Sequence, residues 1–235
     1  MIRNLPTALY INKENVMGKN IGIILAGGIG SRFGADRPKQ YCTVFGKEMI
    51  WYSIDAFRKA ETIDDFIVIV DKTEMEKGRI ASEYGVKTVE GGSSRNGSFK
   101  NALDYIAENY PDCERIIENN AACPMITPEL IDEFINLLDE YDFVNTAYKI
   151  TDALGSYKDR IADREEFYLI QAPDAYRFPL LYKYFDENSN LCHPAHQLPL
   201  DTKEYRYFGY TDNYKVTYPE DIKIVEMLME RRKKQ

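Results

Sequence analysis

A loop rich in glycine and in fixed positive charge is the segment of this chain best suited to chemistry. The stretch "GGIGSRFGADRPKQY" spans residues 27–41 and follows the apolar run "IGIILA". Glycines let backbone N–H groups approach a ligand closely, because they lack side chains and adopt unusual dihedral angles. Arg32 offers a rigid fork of donors and Lys39 a mobile point charge. The loop therefore predicts a site for a phosphate chain.

Two familiar phosphate-binding loops do not fit this stretch. The dinucleotide fingerprint GxGxxG needs a third glycine, and Phe33 stands in its place after Gly28 and Gly30. The P-loop ends in GK[ST], whereas the downstream pair Gly46-Lys47 is followed by glutamate. A plain turn with solvated charges is the remaining alternative. A turn needs one or two glycines rather than the four found here beside arginine, proline and lysine, so the phosphate site is favoured.

Composition limits the partners that such a loop can serve. The chain has 235 residues, with 38 acidic and 30 basic side chains and a formal net charge of −8. An acidic chain argues against nucleic acid as the main partner, so an anion site must be a local basic cluster. No apolar run approaches the roughly 18 residues of a membrane span, and we expect no membrane partner. Residues 1–19 are interpreted as an N-terminal extension rather than a signal peptide, and residues 20–235 as a single domain.

The cysteines and histidines do not indicate a redox or metal centre. The cysteines lack CxxC spacing, so the sequence predicts free thiols in a reducing cytoplasm. They are Cys42, Cys113, Cys123 and Cys192. The only histidines, His193 and His196, lie in "CHPAHQ". A Cys-His-His metal site there is the less favoured alternative to ordinary loop chemistry, because no further ligands are spaced around it.

Alternating strands and helices must position the glycine loop. Apolar runs at residues 20–27, 65–71, 87–92, 114–120 and 142–150 predict strands, and amphipathic stretches between them predict helices. This alternation predicts an α/β fold with a doubly wound, mostly parallel sheet. In such a sheet ligands bind beyond the carboxyl ends of the strands, where the loop lies. The predicted helices span residues 48–60, 73–85, 96–110, 127–141, 179–188 and a C-terminal stretch in which Thr217 and Glu220 have capping-box spacing.

The pattern changes after residue 150. Residues 151–173 are interpreted as two strands with a polar connection that bears Asp and Gly. We therefore expect a β-arm that projects from the domain over about residues 149–172.

The stretch "LAGGIGSRFGADRPKQY" resembles the signature of sugar- and alditol-phosphate nucleotidylyltransferases, L-A-[AG]-G-x-G-x-R-[MF]-…-P-K-Q. It is most similar to the cytidylyltransferase branch, which contains the methylerythritol-phosphate enzyme of isoprenoid synthesis and the ribitol-phosphate enzyme of wall teichoic acid. The resemblance runs from about residue 20 to the C-terminus. It implies a Rossmann-like nucleotidyltransferase fold, CTP as substrate, Mg²⁺ as cofactor and a homodimer formed through the arm.

Two further segments extend the resemblance on the nucleotide side. The stretch "GGSSRNGSFKNAL", residues 91–103, is similar to GGxxRxxSVxxGL, and the family then implies a backbone contact to the base at Gly92 and a hydroxyl contact at Ser98. The stretch "ENNAACPMITPELI" is similar to [VH]-H-D-A-[AV]-R-P, but Asn120 stands at the acidic position near the metal and Cys123 at the arginine. An uncharged amide can bond only a metal-bound water, so Mg²⁺ affinity should fall. The implied nucleotide-binding set is Ala26, Gly27, Gly28, Gly30, Gly92, Ser98, Asn120 and Ala121.

Two segments extend it on the acceptor side. Residues 151–178 are similar to the family's arm D-T-I-K…R-x-x-L-[WY]-x-x-Q-T-P-Q-x-F, which implies that Asp152 and Arg164 bind the acceptor. Ala153 replaces the family's threonine there, while Ala172 and Asp174 replace the T and the Q of its TPQ motif. The stretch "DNYKVTYPEDIKIVEMLM" is similar to N-[IF]-K-[IV]-T-x-P-x-D-L-x-x-A-E, and its Lys215 matches the lysine at the transferred phosphate.

The chemistry that these residues permit is NTP + R–O–PO₃²⁻ → NDP–R + pyrophosphate. The attacking phosphate oxygen is already anionic, so no general base is required, and fixed cations must stabilise the charge that develops. We expect Arg32 at the triphosphate and both Lys39 and Lys215 at the α-phosphate.

Three alternatives stay open at this point. The acceptor is of the methylerythritol-phosphate or ribitol-phosphate type, or another phosphorylated or phosphonylated alcohol. A catalytically impaired nucleotide-binding homologue is suggested by Asn120 and Cys123. A dinucleotide oxidoreductase is disfavoured by Phe33.

Overall fold

The computed structural model describes residues 18–28, 33–34, 37–158 and 162–234. Two predicted site residues, Gly30 and Arg32, lie outside the described residues, as does the extension before residue 18. The first strand begins at Lys19.

Seven strands of the described residues form one sheet in the order β5-β4-β1-β6-β8-β7-β9. Only β8 runs antiparallel to its neighbours, β6 and β7, while the other pairs are parallel. This confirms the predicted mostly parallel sheet. The strands are β1 Lys19–Leu25, β2 Thr43–Val44, β3 Lys47–Glu48, β4 Asp65–Val70, β5 Lys87–Glu90, β6 Cys113–Asn120, β7 Phe143–Lys149, β8 Tyr168–Arg177 and β9 Glu204–Tyr207, of which β2 and β3 form a separate hairpin.

Helices cover both faces of the sheet, as a doubly wound fold requires. Side chains of α1 and α5 pack on one face, around Ile54 and Phe134, and side chains of α4 and α6 pack on the other, around Phe99 and Leu181. The central strand β1 is buried on both faces because its isoleucines contribute to both clusters. The helices are α1 Met49–Lys59, α2 Lys72–Lys77, α3 Arg79–Tyr84, α4 Arg95–Asn109, α5 Pro128–Leu137, α6 Phe178–Tyr184 and α7 Asp221–Arg232.

The predicted helix over residues 73–85 is wrong as a single element. It is two short helices that meet at Gly78, whose φ of 61° is left-handed and ends α2. The helix predicted to begin at Thr127 is confirmed, with the Thr127 side chain accepting the N–H of Leu130 at 3.3 Å.

The predicted pair of strands within residues 151–173 is also wrong. In the described part of that range only β8 is a strand, and its antiparallel partner is β7, which ends at Lys149. The connection contains a short 3₁₀ helix, Arg164–Glu166. The arm is thus a long polar connection between two sheet strands. In the part of the chain that the structure describes, no helix has the length and apolarity to cross a membrane.

Candidate active site

A cleft of about 690 Å³ lies at the carboxyl ends of β1, β4, β5 and β6. Eight of the predicted site residues line it, namely Ala26, Gly27, Gly28, Lys39, Gly92, Ser98, Asn120 and Lys215. A larger and more open groove of about 800 Å³ beside α5 contains none of the predicted residues. The chemistry suggested by the sequence therefore converges on the smaller cleft.

The described part of the glycine loop is held by backbone bonds and by one buried amide. The N–H of Ala26 donates to the carbonyl of Ile69 at 2.8 Å, which continues the sheet into the loop. Gln40 is 3% exposed, and its Nε2 donates to the carbonyls of Ala26 at 2.6 Å and Gly28 at 3.0 Å. Sequence reasoning assigned Gln40 no role, although it is the Q of the P-K-Q motif. Its amide fixes the cleft wall that the triphosphate would contact.

The opposite wall is built by the loop between β5 and α4. A Cβ atom at Gly92 would lie 2.6 Å from the carbonyl carbon of Gly97, so only glycine permits this approach of the loop to the helix. Ser94 caps α4 by accepting the N–H of Gly97 at 2.9 Å. The Ser98 hydroxyl donates to the carbonyl of Ser94 at 2.8 Å, which leaves its lone pairs as acceptors for a ligand.

Lys39 and Lys215 come from distant parts of the chain and meet at this cleft. Lys39 Nζ donates to the carbonyl of Val216 at 2.8 Å, across 177 positions of sequence. The N–H of Val216 in turn donates to the carbonyl of Ala122 at 2.8 Å, just beyond β6. Lys215 is exposed at the cleft. The structure therefore brings both predicted lysines to one place.

The segment that carries Lys215 is shaped by a buried carboxylate rather than by the predicted capping box. Asp221 is 6% exposed, and its Oδ2 accepts the N–H groups of Thr217 at 2.7 Å and Tyr218 at 2.8 Å. Its Oδ1 accepts the hydroxyl of Tyr214 at 3.1 Å. The capping box from Thr217 to Glu220 is wrong, because α7 begins only at Asp221.

The residues after β6 are arranged around their own backbone. Asn120 Oδ1 accepts the N–H of Ala122 at 2.9 Å, so its amide oxygen is already engaged. Ala121 is fully buried and donates its N–H to the carbonyl of Leu25 at 3.0 Å, which places it behind the cleft wall rather than in the lining. Cys123 is also fully buried, and burial raises the pKa of its thiol to about 12. The thiol is therefore neutral at pH 7.

The described residues do not form a cation site made of protein ligands alone. No group of three His, Cys, Asp or Glu side chains among them is arranged to hold a cation. Asn120, the predicted indirect ligand, uses its oxygen in a backbone bond. The alternative site in "CHPAHQ" is not supported either, since His193 Nε2 lies 3.1 Å from Asp174 Oδ2 and Cys192 is exposed. All four cysteines are free, as predicted.

The acceptor-side predictions are not brought to the cleft within this chain. Asp152 is exposed on the connection between β7 and β8. Arg164 is exposed in the 3₁₀ helix, where its Nε lies 3.2 Å from Glu165 Oε1. Neither residue lines the cleft. A role in acceptor binding would therefore need a second subunit.

Sequence reasoning left without a role two cations that line the cleft, Lys72 and Arg95. Arg95 is the first residue of α4, and its Nη2 lies 3.4 Å from Oε1 of the fully buried Glu118. The GGxxRxxS pattern contained the signal for Arg95. No local pattern marked Glu118.

The fold and the cleft define a nucleotidyltransferase of the Rossmann-like class. The sheet is mostly parallel, glycine loops face each other across the cleft, and two lysines converge on it. The sequence model of the 2-C-methyl-D-erythritol 4-phosphate cytidylyltransferase family, IspD, matches residues 21–231. The chain belongs to this family.

Individual relatives carry two kinds of name. The bifunctional ribulose 5-phosphate reductase/CDP-ribitol pyrophosphorylase Bcs1 of Haemophilus influenzae is 29% identical over 91% of this chain and 49% of its own length. A 2-C-methyl-D-erythritol 4-phosphate cytidylyltransferase of Bifidobacterium longum subsp. infantis is 32% identical over 71% of this chain and 62% of its own length. The chain thus spans about half to three fifths of these relatives. The cytidylyltransferase of Alkaliphilus metalliredigens is 28% identical, with 93% of this chain and 96% of the relative covered.

Solved structures share the fold. The 4-diphosphocytidyl-2C-methyl-D-erythritol synthase of Anaerococcus prevotii has a TM-score of 0.77 at 22% identity, with 91% of this chain and 97% of that chain covered. The bifunctional IspDF of Campylobacter jejuni has a TM-score of 0.72 at 24% identity, with 88% and 54% covered. These likenesses confirm the predicted Rossmann-like nucleotidyltransferase fold.

Proposed function

We propose that this protein is a cytidylyltransferase that transfers CMP from CTP to a small polyol phosphate and releases pyrophosphate. The observation that carries the proposal is the meeting of Lys39 and Lys215 at one cleft beside the glycine loop. Membership of the cytidylyltransferase family supports the reaction class. The names of the relatives support methylerythritol 4-phosphate or ribitol 5-phosphate as the type of acceptor.

The reaction that we infer is an in-line displacement. An oxygen of the acceptor phosphate attacks the α-phosphorus of CTP, the bond from that phosphorus to the bridging oxygen breaks, and pyrophosphate leaves. The nucleophile is already an anion, so the residues need only hold two anions together and stabilise the developing charge. Lys39 and Lys215 do this at the α-phosphate, and Arg32 binds the triphosphate, whose β- and γ-phosphates leave as pyrophosphate.

The cleft walls favour a pyrimidine nucleotide. Small residues form both walls, at Ala26, Gly27 and Gly92, with Ala121 behind them. Small side chains let a base lie close to the backbone, and membership of the cytidylyltransferase family supports cytosine, a single-ring base, as the occupant. We infer that the base lies between these walls, near the Ser98 hydroxyl.

Replacement of each lysine tests the proposal. Lys39→Ala and Lys215→Ala should each lower the rate at least about 100-fold, a loss of roughly 3 kcal/mol of transition-state stabilisation. Pyrophosphate release is measured with CTP and a panel of polyol phosphates. Lys59→Ala is the matched control, because Lys59 lies on the α1 surface and pairs with Asp55 at 2.7 Å. Wild-type turnover in both cleft variants would reject the assignment.

A catalytically impaired nucleotide-binding protein is the second candidate. Asn120 and Cys123 favour it, since both positions lack the charge found in the family pattern. Calorimetric binding of CTP without pyrophosphate release on any acceptor would establish this candidate instead.

We further infer a cytoplasmic homodimer that uses Mg²⁺ with CTP. Large apolar side chains on and beside the arm are exposed, including Tyr157, Phe167 and Leu169, and they support a subunit contact there. The free cysteines fit a reducing compartment. Light scattering of the wild type and of Leu169→Arg tests the dimer, and turnover in EDTA tests the cation.

A further inference from the structure

Three residues that the family-like motifs do not explain meet behind the cleft. Glu118 of β6 and Asp174 of β8 are in-register partners across antiparallel strands, and each is 1% exposed. His193, from the loop after α6, is 8% exposed, and its Nε2 lies 3.1 Å from Asp174 Oδ2. Asp174 stands where the family pattern has glutamine, and His193 belongs to "CHPAHQ". The two departures are therefore parts of one buried cluster.

Arg95 connects this cluster to the cleft. Its guanidinium contacts Glu118 through Nη2 and donates to the carbonyl of Cys192 through Nη1. The Arg95 side chain is 50% exposed, whereas the Glu118 side chain is 1% exposed. The guanidinium is thus held from behind by a buried carboxylate while its other side faces the cleft that it lines.

Resting on the proposed function, we propose that Arg95 binds the phosphate of the acceptor and that Glu118 is the residue that positions it. Arg95 is the one arginine among the described residues of the cleft lining. A guanidinium fork matches two phosphate oxygens at once, which a lysine cannot do.

The strand order explains why the acceptor phosphate, rather than the triphosphate, is the partner. The glycine loop follows β1, and Glu118 anchors Arg95 over the next strand, β6. In an in-line displacement the nucleophile enters opposite the leaving pyrophosphate. With the pyrophosphate along the glycine loop, the acceptor phosphate enters from the β6 side. Lys215 and Arg95 line the same cleft, so two cations from different elements face it.

The buried cluster of Glu118, Asp174 and His193 restricts movement of the Arg95 side chain. Burial raises the pKa of the Glu118 carboxyl, and Asp174 raises it further, while Arg95 and His193 act in the opposite direction. A buried carboxylate that loses its cation is left without compensation, so the Arg95–Glu118 pair resists separation. Replacement of the Glu118 carboxyl by an amide weakens this contact and leaves Arg95 held mainly by the Cys192 carbonyl.

Steady-state kinetics with separate variation of CTP and acceptor test the inference. Arg95→Gln should raise the acceptor KM at least about tenfold, with kcat and the calorimetric Kd for CTP within about twofold of wild type. Glu118→Gln should raise the acceptor KM about threefold or more, and Arg95→Lys should fall between wild type and Arg95→Gln. The double variant Arg95→Gln/Glu118→Gln should not exceed Arg95→Gln alone, because Glu118 acts through Arg95.

Lys100→Gln is the matched control, since Lys100 lies on the same helix and pairs with Asp104 away from the cleft. An unchanged acceptor KM in Arg95→Gln, or a Kd for CTP that rises with it, would overturn the inference. An additive double variant would overturn the positioning role of Glu118. Absence of turnover by the wild type on every acceptor would instead reject the proposed function. If Glu118→Gln fails to fold by circular dichroism, the two Arg95 variants decide alone.

Discussion

Asp221 offers the most direct test of how the described site is held together. Its carboxylate accepts two backbone N–H groups, from Thr217 and Tyr218, and the hydroxyl of Tyr214. These bonds fix the turn that presents Lys215 to the cleft. Asp221→Ala removes all three acceptor contacts without changing any residue that lines the cleft.

The magnitude follows from the bonds that are lost. A hydrogen bond to a charged group contributes roughly 1.5–3 kcal/mol net, and the partly exposed N–H groups here justify the lower end. We expect the loss of three such bonds in Asp221→Ala to lower the free energy of unfolding by about 4.5 kcal/mol, which in a chain of this size lowers Tm by roughly 9–18 °C. At temperatures below the new Tm, the activity of the variant should be at least about tenfold lower than that of wild type. The turn that Asp221 holds carries Lys215, and the neighbouring Val216 carbonyl accepts the bond from Lys39.

Thermal melting and pyrophosphate release measure the two effects. Glu220→Gln is the matched control, because Glu220 is the exposed neighbour and its side chain makes no capping bond. An Asp221→Ala variant that melts and turns over like Glu220→Gln would refute the reasoning. Loss of stability with full activity would show that the turn does not position Lys215.

Three further predictions concern Asp221, Gln40 and the cysteines. Burial alone would raise the pKa of Asp221, but the N–H groups of Tyr218 and Thr217 hold this pKa below its ordinary value. The stabilisation by the carboxylate is therefore fully present above the unfolded pKa of about 3.9 and is lost as the pH falls through the folded pKa. The difference in unfolding free energy between wild type and Asp221→Asn should therefore shrink from pH 7 to pH 3. Gln40→Ala should raise the Kd for CTP about tenfold by calorimetry, because two loop carbonyls lose their donor. Ellman's reagent should modify Cys192 in the native protein but Cys113 and Cys123 only after denaturation, since both are buried with pKa values raised by burial to about 12.

Local sequence signals were sufficient for the elements that they specify. The start of α5 was predictable because Thr127 and Pro128 carry the cap and the first turn within two residues. The helix over residues 73–85 was not, because a glycine inside a periodic stretch is tolerated in some helices and breaks others. The left-handed backbone at Gly78 divides the stretch into two helices, and no pattern in the sequence indicates that conformation.

The candidate site divides in the same way. Lys39 and Lys215 were predictable from their motifs, although the 2.8 Å bond from Lys39 to Val216 was not. In the sequence, Asp174 is marked only as a replacement of the glutamine in the TPQ motif, and His193 only as part of "CHPAHQ". Their meeting depends on the antiparallel register of β6 and β8, which pairs Asp174 with Glu118. Register across distant strands is a property of the whole sheet and leaves no mark in either strand alone.

The register between β6 and β8 offers an explanation for the missing charges at Asn120, the last residue of β6, and at Cys123. Asn120 and Cys123 put no charge at the strand end, and the thiol of Cys123 is buried. Two anions still have to be held there in the proposed reaction, so the positive charge must come from other elements. Lys215 reaches the strand end from the turn before α7, and Arg95 reaches it from the start of α4. On this proposal Glu118, which is buried, holds Arg95 in place. An arginine at position 123, as in the family pattern, would not need Glu118 to hold it.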